Sequence, residues 1–320
     1  MGFRANFKTL RVRWLFRTAG SALALIILFL VLPIETVWSK LERIPTPLFL
    51  WIILIFTIGH FAAAAKWWNL LGRKIPFITA VHAHMAGMAA NLCLPGVAGG
   101  DAVRAGVGYS GYRDGARVFS GSVVDRLMDL LALACLGLIG FFKIEEIPYD
   151  ADTYLISIAV VFFIFVGALF VFPPLALIIR RRLVIKLSIP PIIFKVVEAL
   201  SEFARMPFLL ASTFLASIAI QLLFLSLAYR LSLAIGLNVS FSTWCFAWPV
   251  AKIVSVLPIS LGGLGVREAI LAALLIPFGA DATQVVAAGL SWQAVLFITG
   301  GLSGFILIAG NAGVRWRRKE

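Results

Sequence analysis

Long uninterrupted runs of apolar residues recur along the chain and define its predicted elements. Six of them, at roughly 18–38, 48–68, 120–142, 153–178, 208–233 and 285–311, each contain about twenty residues or more. A helix of that length matches the ~30 Å hydrocarbon core of a bilayer. The strands of a membrane barrel would instead alternate polar and apolar residues over short segments. The pattern therefore predicts an all-α, polytopic membrane protein with six full spans.

Two further apolar regions, 77–118 and 243–279, are interrupted near the middle by helix-breaking residues. The first contains LPGVAGGDAVR at 94–104, and the second contains LPISLGGLGVR at 257–267. Proline removes a backbone donor and glycine permits positive φ, so each helix is expected to open there. Irregular backbone at membrane depth is tolerated only inside protein or beside a water-filled cavity. Each region is therefore expected to form a re-entrant, broken-helix hairpin beside a polar cavity.

The two interrupted motifs share the pattern L-P-x-x-x-G-G-x-x-x-R and occupy matching places between their neighbouring spans. This similarity predicts a duplication, in which residues 1–150 form a first membrane repeat and residues 151–320 a second. Each repeat would contain three spans and one hairpin. The charge distribution places the two hairpins on opposite faces of the membrane, which makes the repeat an inverted one. In transporters of this architecture, the substrate site lies where the broken helices meet, near the bilayer midplane.

Composition and charge are consistent with a membrane location and orient the chain. Hydrophobic residues make up 61% of the sequence, the mean hydropathy is +1.00 and the net charge is +13. The basic residues cluster at the N-terminus, in 66–74, in 180–186 and in the C-terminal tail, whereas 145–152 is acidic. The positive-inside rule therefore places both termini in the cytoplasm, and the charge needs no nucleic-acid partner. The first apolar run lacks a cleavage site and is expected to be retained.

The first hairpin concentrates candidate ligand-binding groups. Asp101 and Arg104 lie three residues apart, and hence on one face if the helix resumes after Gly100. A helix N-terminus beside an arginine suits a phosphate group. Asp101 either caps the returning helix or couples transport to protons. Asn91 either caps freed carbonyls or contacts a ligand. Arg104 either binds the ligand or extends to the membrane surface. The candidates in this hairpin are Asn91, Pro95, Gly99, Gly100, Asp101 and Arg104.

Polar residues in two other apolar segments extend the candidate set. Asp125 and Arg126 lie near the start of the third span, and Asp129 follows one helical turn later. Charges at this depth either pair with one another at the helix end or face a cavity. Lys252 and Gln221 are surrounded by apolar residues in the second half of the chain and are candidate cavity-lining groups.

The second hairpin repeats the arginine of the first. Arg267 occupies the place that matches the first arginine, and Glu268 follows it and is expected to hold it. His82 and His84 are two residues apart on an entering helix, so they point in different directions and are expected at the membrane interface, not at a metal site. The candidates outside the first hairpin are Asp125, Arg126, Lys252, Gly262, Gly263, Arg267 and Glu268.

Three motifs together resemble the lysylphosphatidylglycerol synthase transmembrane, or flippase-like, family. They are N-x-x-x-P-G-x-x-G-G-D-x-x-R from Asn91 to Arg104, the acidic-arginine pair at 125–126, and P-x-x-x-G-G-x-G-x-R-E from Pro258 to Glu268. The resemblance covers nearly the whole chain and implies a bacterial inner-membrane protein that moves lipids or lipid-linked groups between leaflets. Some members carry a cytosolic aminoacyl-transferase domain. Because this chain ends at Glu320 directly after its last span, we expect it to lack that synthase activity. The expected transport role involves neither enzymatic activity nor a cofactor.

The expected function is therefore lipid translocation. The headgroup phosphate would contact Arg104, Arg126 and Arg267, while the acyl chains stay in the surrounding lipid. The expected partners are membrane phospholipids or a lipid-linked substrate, together with either a second copy of the chain or a lipid-synthesis enzyme. No segment resembles an ATP site, so transport is either downhill or coupled to protons or ions.

Two alternative functions remain open at this point. The chain is either a non-transporting scaffold for a lipid-synthesis enzyme, or an enzyme similar to the CDP-alcohol phosphotransferases. Residues 113–129 match the end of the aspartate motif of those enzymes through Gly121, Asp125 and Asp129. The start of that motif does not match, and a two-metal site needs its full set of carboxylates. The enzyme alternative requires Asp114 and Asp125 to converge.

Overall fold

The computed structural model describes residues 34–93, 97–112, 114–145, 191–255 and 264–317, and every regular element within these ranges is a helix. A short 3-10 helix, Ile276–Phe278, precedes the last helix. Numbered in chain order, the α-helices are α1 (Ile34–Leu41), α2 (Thr46–Leu70), α3 (Phe77–Cys93), α4 (Val97–Tyr112), α5 (Gly115–Phe142), α6 (Pro191–Ala204), α7 (Pro207–Ile235), α8 (Phe241–Val254), α9 (Val266–Leu275) and α10 (Ala282–Arg317). The predicted all-α class is confirmed for this part of the chain.

Four helices coincide with predicted spans, namely α2, α5, α7 and α10. Of these, α2, α7 and the Ala282–Ala309 part of α10 are long and apolar enough to cross a membrane. Helix α5 has 28 residues, but its four charged side chains lower its apolar character. The predicted span 153–178 and most of 18–38 lie outside the described residues.

Local sequence signals set the helix boundaries. Helix α5 begins after Asp114, whose side chain accepts a hydrogen bond from the Arg117 N–H at 3.0 Å. Helix α8 begins after Ser240, whose hydroxyl accepts the Thr243 N–H at 3.1 Å. Helix α7 ends at Gly236, where φ is +96°, a conformation that a side chain disfavours. These caps satisfy backbone groups that would otherwise be orphaned at the helix ends.

The first interrupted region contains two helices packed against each other, α3 and α4, with residues 94–96 outside the described ranges. Because α4 already begins at Val97, Gly99 and Gly100 are helical, and the expectations of positive φ there and of a helix resuming after Gly100 are wrong. Asp101 therefore lies in the second turn of α4 and is not its N-cap. The missing Cβ of Gly100 serves helix packing, since a Cβ there would overlap Asn91.

The second interrupted region contains α8 and α9, also packed against each other, with residues 256–263 outside the described ranges. Pro95, Gly262 and Gly263 consequently lie outside the described residues. Gly265 immediately precedes α9 and has a φ of +81°, which favours glycine at this position.

Helices of each predicted repeat pack against helices of the other repeat. Helix α3 packs against α10, the last helix of the second half, and α8 packs against α5, the last described helix of the first half. The approach of α5 to α8 is very close, because a Cβ on Gly140 would lie 2.5 Å from the Phe246 nitrogen. The first helix of each broken region, α3 or α8, thus packs against the second helix of the same region, α4 or α9. It also packs against a long helix of the other half, α10 or α5.

Candidate functional site

Helices from both halves surround an internal cavity of about 260 Å³, which we call the central cavity. Its lining combines apolar side chains with charged groups that come from α4, α5, α8 and α9. These charged groups are Asp101, Arg104, Asp125, Arg126, Asp129, Lys252 and Arg267. The tertiary structure therefore brings together charged residues that are up to 166 positions apart in sequence.

Most of the candidates predicted from the sequence lie at this cavity, and two that the structure describes do not line it. Gly99 is not part of the lining, and Glu268 lies behind Arg267, which it contacts. The predicted residues that line the cavity are Asn91, Gly100, Asp101, Arg104, Asp125, Arg126, Lys252 and Arg267, together with Gln221.

Arg104 is held inside the protein by charge and by an aromatic ring. Its Nη1 donates to Asp125 Oδ2 at 2.8 Å, and its Nη2 lies 3.5 Å from Asp101 Oδ1. The guanidinium also lies over the Trp67 ring, 5.1 Å from the centroid. Only 5% of Arg104 is exposed, which excludes the alternative that its side chain reaches the surface.

Asp101 and Arg126 form a second ion pair that links α4 to α5. The Arg126 Nε and Nη2 atoms both donate to Asp101 Oδ2, at 3.0 and 2.7 Å. The Asp101 carboxylate thus faces two guanidinium groups, those of Arg126 and Arg104.

Lys66 is a member of the charged network that the sequence analysis misplaced. The basic segment 66–74 predicts a cytoplasmic loop, yet Lys66 is buried near the end of α2. Its ammonium lies 3.1 Å from Asp125 Oδ1 and 2.5 Å from Asp129 Oδ1, and it donates to the Ser217 hydroxyl at 2.8 Å. The signal that identifies it is its position in α2 directly after four alanines, where a solvated charge is not expected.

Arg267 and Glu268 form a buried ion pair in the second half of the chain, where Arg267 corresponds to Arg104 of the first half. The Arg267 Nη2 atom lies 2.7 Å from Glu268 Oε1, which confirms that Glu268 holds the arginine. The same Nη2 also donates to the Gly289 carbonyl at 2.9 Å and to Gln293 Oε1 at 3.1 Å. Glu268 Oε2 accepts the Gly265 N–H at 2.7 Å. Both charged side chains are buried, which excludes the alternative that the Arg267 side chain reaches the membrane surface.

Lys252 differs from the other cations of the cavity because no carboxylate lies within ion-pair distance of it in the described part of the chain. Its Nζ donates to Gln221 Oε1 at 2.7 Å and lies 5.8 Å from the centroid of the Phe224 ring. A neutral amide can orient an ammonium group, but it does not neutralise its charge. Lys252 is therefore the cavity cation best able to accept a new anionic partner.

The charges of the network leave a surplus of one positive charge. Four carboxylates are present, those of Asp101, Asp125, Asp129 and Glu268. Among the described residues, four cations pair with these carboxylates, namely Lys66, Arg104, Arg126 and Arg267, and Lys252 is the fifth cation of the network. Burying charges is expensive, and pairing rarely recovers the whole desolvation cost. Nine such groups in so apolar a chain indicate a functional site, since intramembrane charges typically mark substrate or ion pathways.

The two histidines that the sequence analysis identified, His82 and His84, lie in different environments in the structure. His82 is exposed, whereas His84 lines the central cavity, so the expectation that His84 is interfacial is wrong. Its Nε2 lies 2.9 Å from Nδ1 of His60, a residue of α2 that the sequence analysis did not identify. A single histidine within a long apolar helix is the available signal for His60.

The alternative of a CDP-alcohol phosphotransferase requires two aspartates that do not converge. Asp114 caps the first turn of α5, and Asp125 lies eleven residues further along the same helix. At 1.5 Å per residue this separates them by about 16 Å along the helix axis. Asp114 is exposed and Asp125 is buried, so the two carboxylates do not share a metal-binding position.

Comparison with known proteins gives one family match. A family model described as the lysylphosphatidylglycerol synthase TM region matches residues 17–304. No curated protein matches the chain. The matched range includes all the residues that line the central cavity, from Phe56 to Gly300, and extends over parts of both predicted repeats.

Proposed function

Because the chain belongs to the lysylphosphatidylglycerol synthase transmembrane family, we propose that it is a lipid translocase whose central cavity carries an anionic headgroup between leaflets. The acyl chains remain in the bilayer while the headgroup passes through the protein. Transfer of an unshielded charged headgroup into hydrocarbon is very unfavourable, and a polar cavity lowers that barrier. The role needs no covalent step and no cofactor.

The surplus positive charge of the cavity carries this proposal. Arg104, Arg126 and Arg267 are each matched by a carboxylate, whereas Lys252 has only the amide of Gln221. A phosphodiester brings one negative charge, which would neutralise the network as a whole. Lys252 is thus the primary headgroup contact, and the arginines supply further donors to the phosphate oxygens. Phosphatidylglycerol and other monoanionic lipids, or lipid-linked groups, have this charge.

The exchange of contacts between the halves supports an inverted repeat. The pairs α3–α10 and α8–α5 are equivalent when the two halves are interchanged. The pairs α3–α4 and α8–α9 each pack together, and we infer that they are the two re-entrant hairpins, entering from opposite faces. Movement of one hairpin relative to the other would open the central cavity to each leaflet in turn. The protein would lie in the bacterial inner membrane with both termini in the cytoplasm.

The test is translocation by the purified protein in vesicles of phosphatidylcholine that contain a small amount of fluorescent phosphatidylglycerol. An impermeant external quencher reports how much label is in the outer leaflet. We expect wild-type protein to equilibrate the label, and Lys252→Gln to reduce the rate by about ten- to a hundredfold, the value of one hydrogen bond to a charged group. The matched control is Lys143→Gln, because Lys143 is an exposed lysine at the end of α5.

Lys252 is a better probe than the arginines because its removal leaves no carboxylate unpaired. Replacement of Arg104 would remove one of the two cations that pair with Asp125, and replacement of Arg267 would leave the Glu268 carboxylate buried without a counter-charge, so both changes would also disturb folding. A wild-type protein that leaves the label in its original leaflet would contradict the translocase function and favour the scaffold alternative. Equal rates for wild type and Lys252→Gln would contradict the assignment of Lys252.

A further inference from the structure

Two partly buried histidines face each other between α2 and α3. Nδ1 of His60 lies 2.9 Å from Nε2 of His84, and the ring centroids are 5.2 Å apart. The outer nitrogens, His60 Nε2 and His84 Nδ1, are buried and have no hydrogen-bond partner among the described residues. Phe56 and Phe224 pack against the His60 ring, with centroids at 4.4 and 5.0 Å. The pair is thus a polar element set into apolar walls.

The position of the pair connects it to the headgroup site. Both imidazoles line the central cavity, and both also line a smaller cavity of about 30 Å³ between α2, α3 and α10. Thr57, Thr299 and Ser303 line the smaller cavity, and their hydroxyl groups donate to carbonyls of their own helices. The pair therefore lies where the two cavities meet.

The chemistry of two hydrogen-bonded imidazoles suits proton transfer. In the neutral pair, one ring donates its N–H to the other, which leaves one outer nitrogen with a lone pair and the other outer nitrogen with a hydrogen. A proton that binds the outer lone pair forms one N–H bond and gives the pair a charge of +1. The shared hydrogen can then cross the 2.9 Å contact, and the proton on the far nitrogen leaves as that N–H bond breaks.

The charges around the pair are positive on balance. The charged side chains that line the central cavity with the two imidazoles come from α4, α5, α8 and α9, and the helices α7 and α10 contribute Gln221, Thr299 and Ser303. The charged side chains are four cations, Arg104, Arg126, Lys252 and Arg267, and three carboxylates, Asp101, Asp125 and Asp129. Behind them, Lys66 of α2 and Glu268 of α9 contribute one charge of each sign. An anionic headgroup beside Lys252 would offset the excess positive charge. Headgroup and proton would then strengthen each other's binding, as linkage requires.

We propose that the His60–His84 pair binds one proton together with the anionic headgroup, so that each lipid crosses the membrane with a proton. This inference rests on the proposed translocase function. It replaces Asp101 as the candidate proton-coupling residue, because Asp101 is held by Arg126 and Arg104. A monoanionic headgroup and a proton cross as an electrically neutral unit, so a pH difference drives transport and a membrane potential does not.

The experiment uses the full chain in phosphatidylcholine vesicles that contain fluorescent phosphatidylglycerol and have a pH difference of about one unit across the membrane. At equilibrium, coupled movement of one proton per lipid enriches the label about tenfold in the leaflet that faces the alkaline side. Protein-free vesicles give the background that is subtracted. An imposed potential at equal pH should leave the label evenly distributed.

The histidine variants then test the assignment of the pair. We expect His60→Gln and His84→Gln to abolish the enrichment caused by the pH difference. His82→Gln should retain it, because His82 is exposed on the same helix, two residues from His84. Enrichment that persists in both cavity variants would overturn the assignment of the pair.

The wild-type measurement decides the coupling even if a variant does not fold. Label that equilibrates evenly despite the pH difference would overturn the proton coupling and leave the translocase function standing. Label that never leaves its original leaflet would overturn the translocase function, and the coupling with it.

Discussion

Replacement of one member of the Arg267–Glu268 pair tests whether the charged network is shielded from water. Glu268 is 0% exposed, and its carboxylate accepts hydrogen bonds from Arg267 and from the Gly265 N–H. Glu268→Gln keeps the shape and an acceptor oxygen but leaves the guanidinium without a counter-charge. Removing one partner of a buried pair costs about 3–5 kcal/mol. Because Arg267 keeps Gly289 and Gln293 as acceptors, we expect the lower end, about 3 kcal/mol.

The assay is unfolding of the purified protein in mixed micelles by a denaturing detergent, followed by tryptophan fluorescence. A loss of about 3 kcal/mol corresponds to roughly a hundredfold change in the unfolding equilibrium. The control is Glu202→Gln, because Glu202 pairs with Arg117 at 2.8 Å but its side chain is 56% exposed. Exposed pairs contribute about 0–1 kcal/mol, so this variant should unfold almost like wild type.

The double variant separates charge from packing. R267M combined with E268Q leaves no unpaired charge at this place, so it should be more stable than either single variant. A midpoint for Glu268→Gln that equals that of Glu202→Gln would show that water screens the pair. In that case the network is not in a low-dielectric interior, and the charge count that supports the headgroup site has no basis.

Three further predictions use the same unfolding assay. Gly100→Ala should lower the free energy of unfolding by about 1–3 kcal/mol, because its Cβ would collide with α3, whereas Gly106→Ala in the same helix faces open space and should be neutral or stabilising. Lys66→Met should cost about 3–5 kcal/mol, and adding D129N should recover part of that loss. Asp281 caps α10, and the hydrogen bond from the Thr283 hydroxyl lowers the pKa of its carboxyl. Asp281→Ala should therefore cost about 1 kcal/mol at neutral pH. The difference should begin to shrink near the ordinary pKa of aspartate and disappear as the pH falls through the lowered pKa of the folded protein, because only the ionised carboxylate contributes this stabilisation.

Much of the candidate site was predictable because its residues are charged and lie within apolar stretches of the sequence. Arg104, Asp125 and Lys252 each place a charge within an apolar segment, and a charge there must find a partner or a cavity. Lys66 escaped this reasoning, since it adjoins a basic stretch that resembles a cytoplasmic loop. His60 escaped it because a neutral imidazole inside an apolar helix carries no obligatory partner.

The role of the glycines shows where local reasoning fails. Gly100 was expected to break a helix, as glycine often does, but it lies within α4 and permits close contact with Asn91 of α3. A glycine that opens the backbone and a glycine that admits a neighbouring helix look the same in a sequence. Only the position of the neighbouring helix distinguishes them.

The sequence by itself determined the helical class, the membrane environment and the presence of charged groups that need partners. These properties follow from local composition and from the cost of an unsatisfied backbone or charge in lipid, which acts on every segment separately. The tertiary structure decided which charges meet: Arg104 with Asp125, Arg126 with Asp101, Lys66 with two aspartates, and Lys252 with an amide alone. Pairing depends on which helices are neighbours, and helix packing is set by side-chain shape along whole surfaces, which no single segment of the sequence encodes.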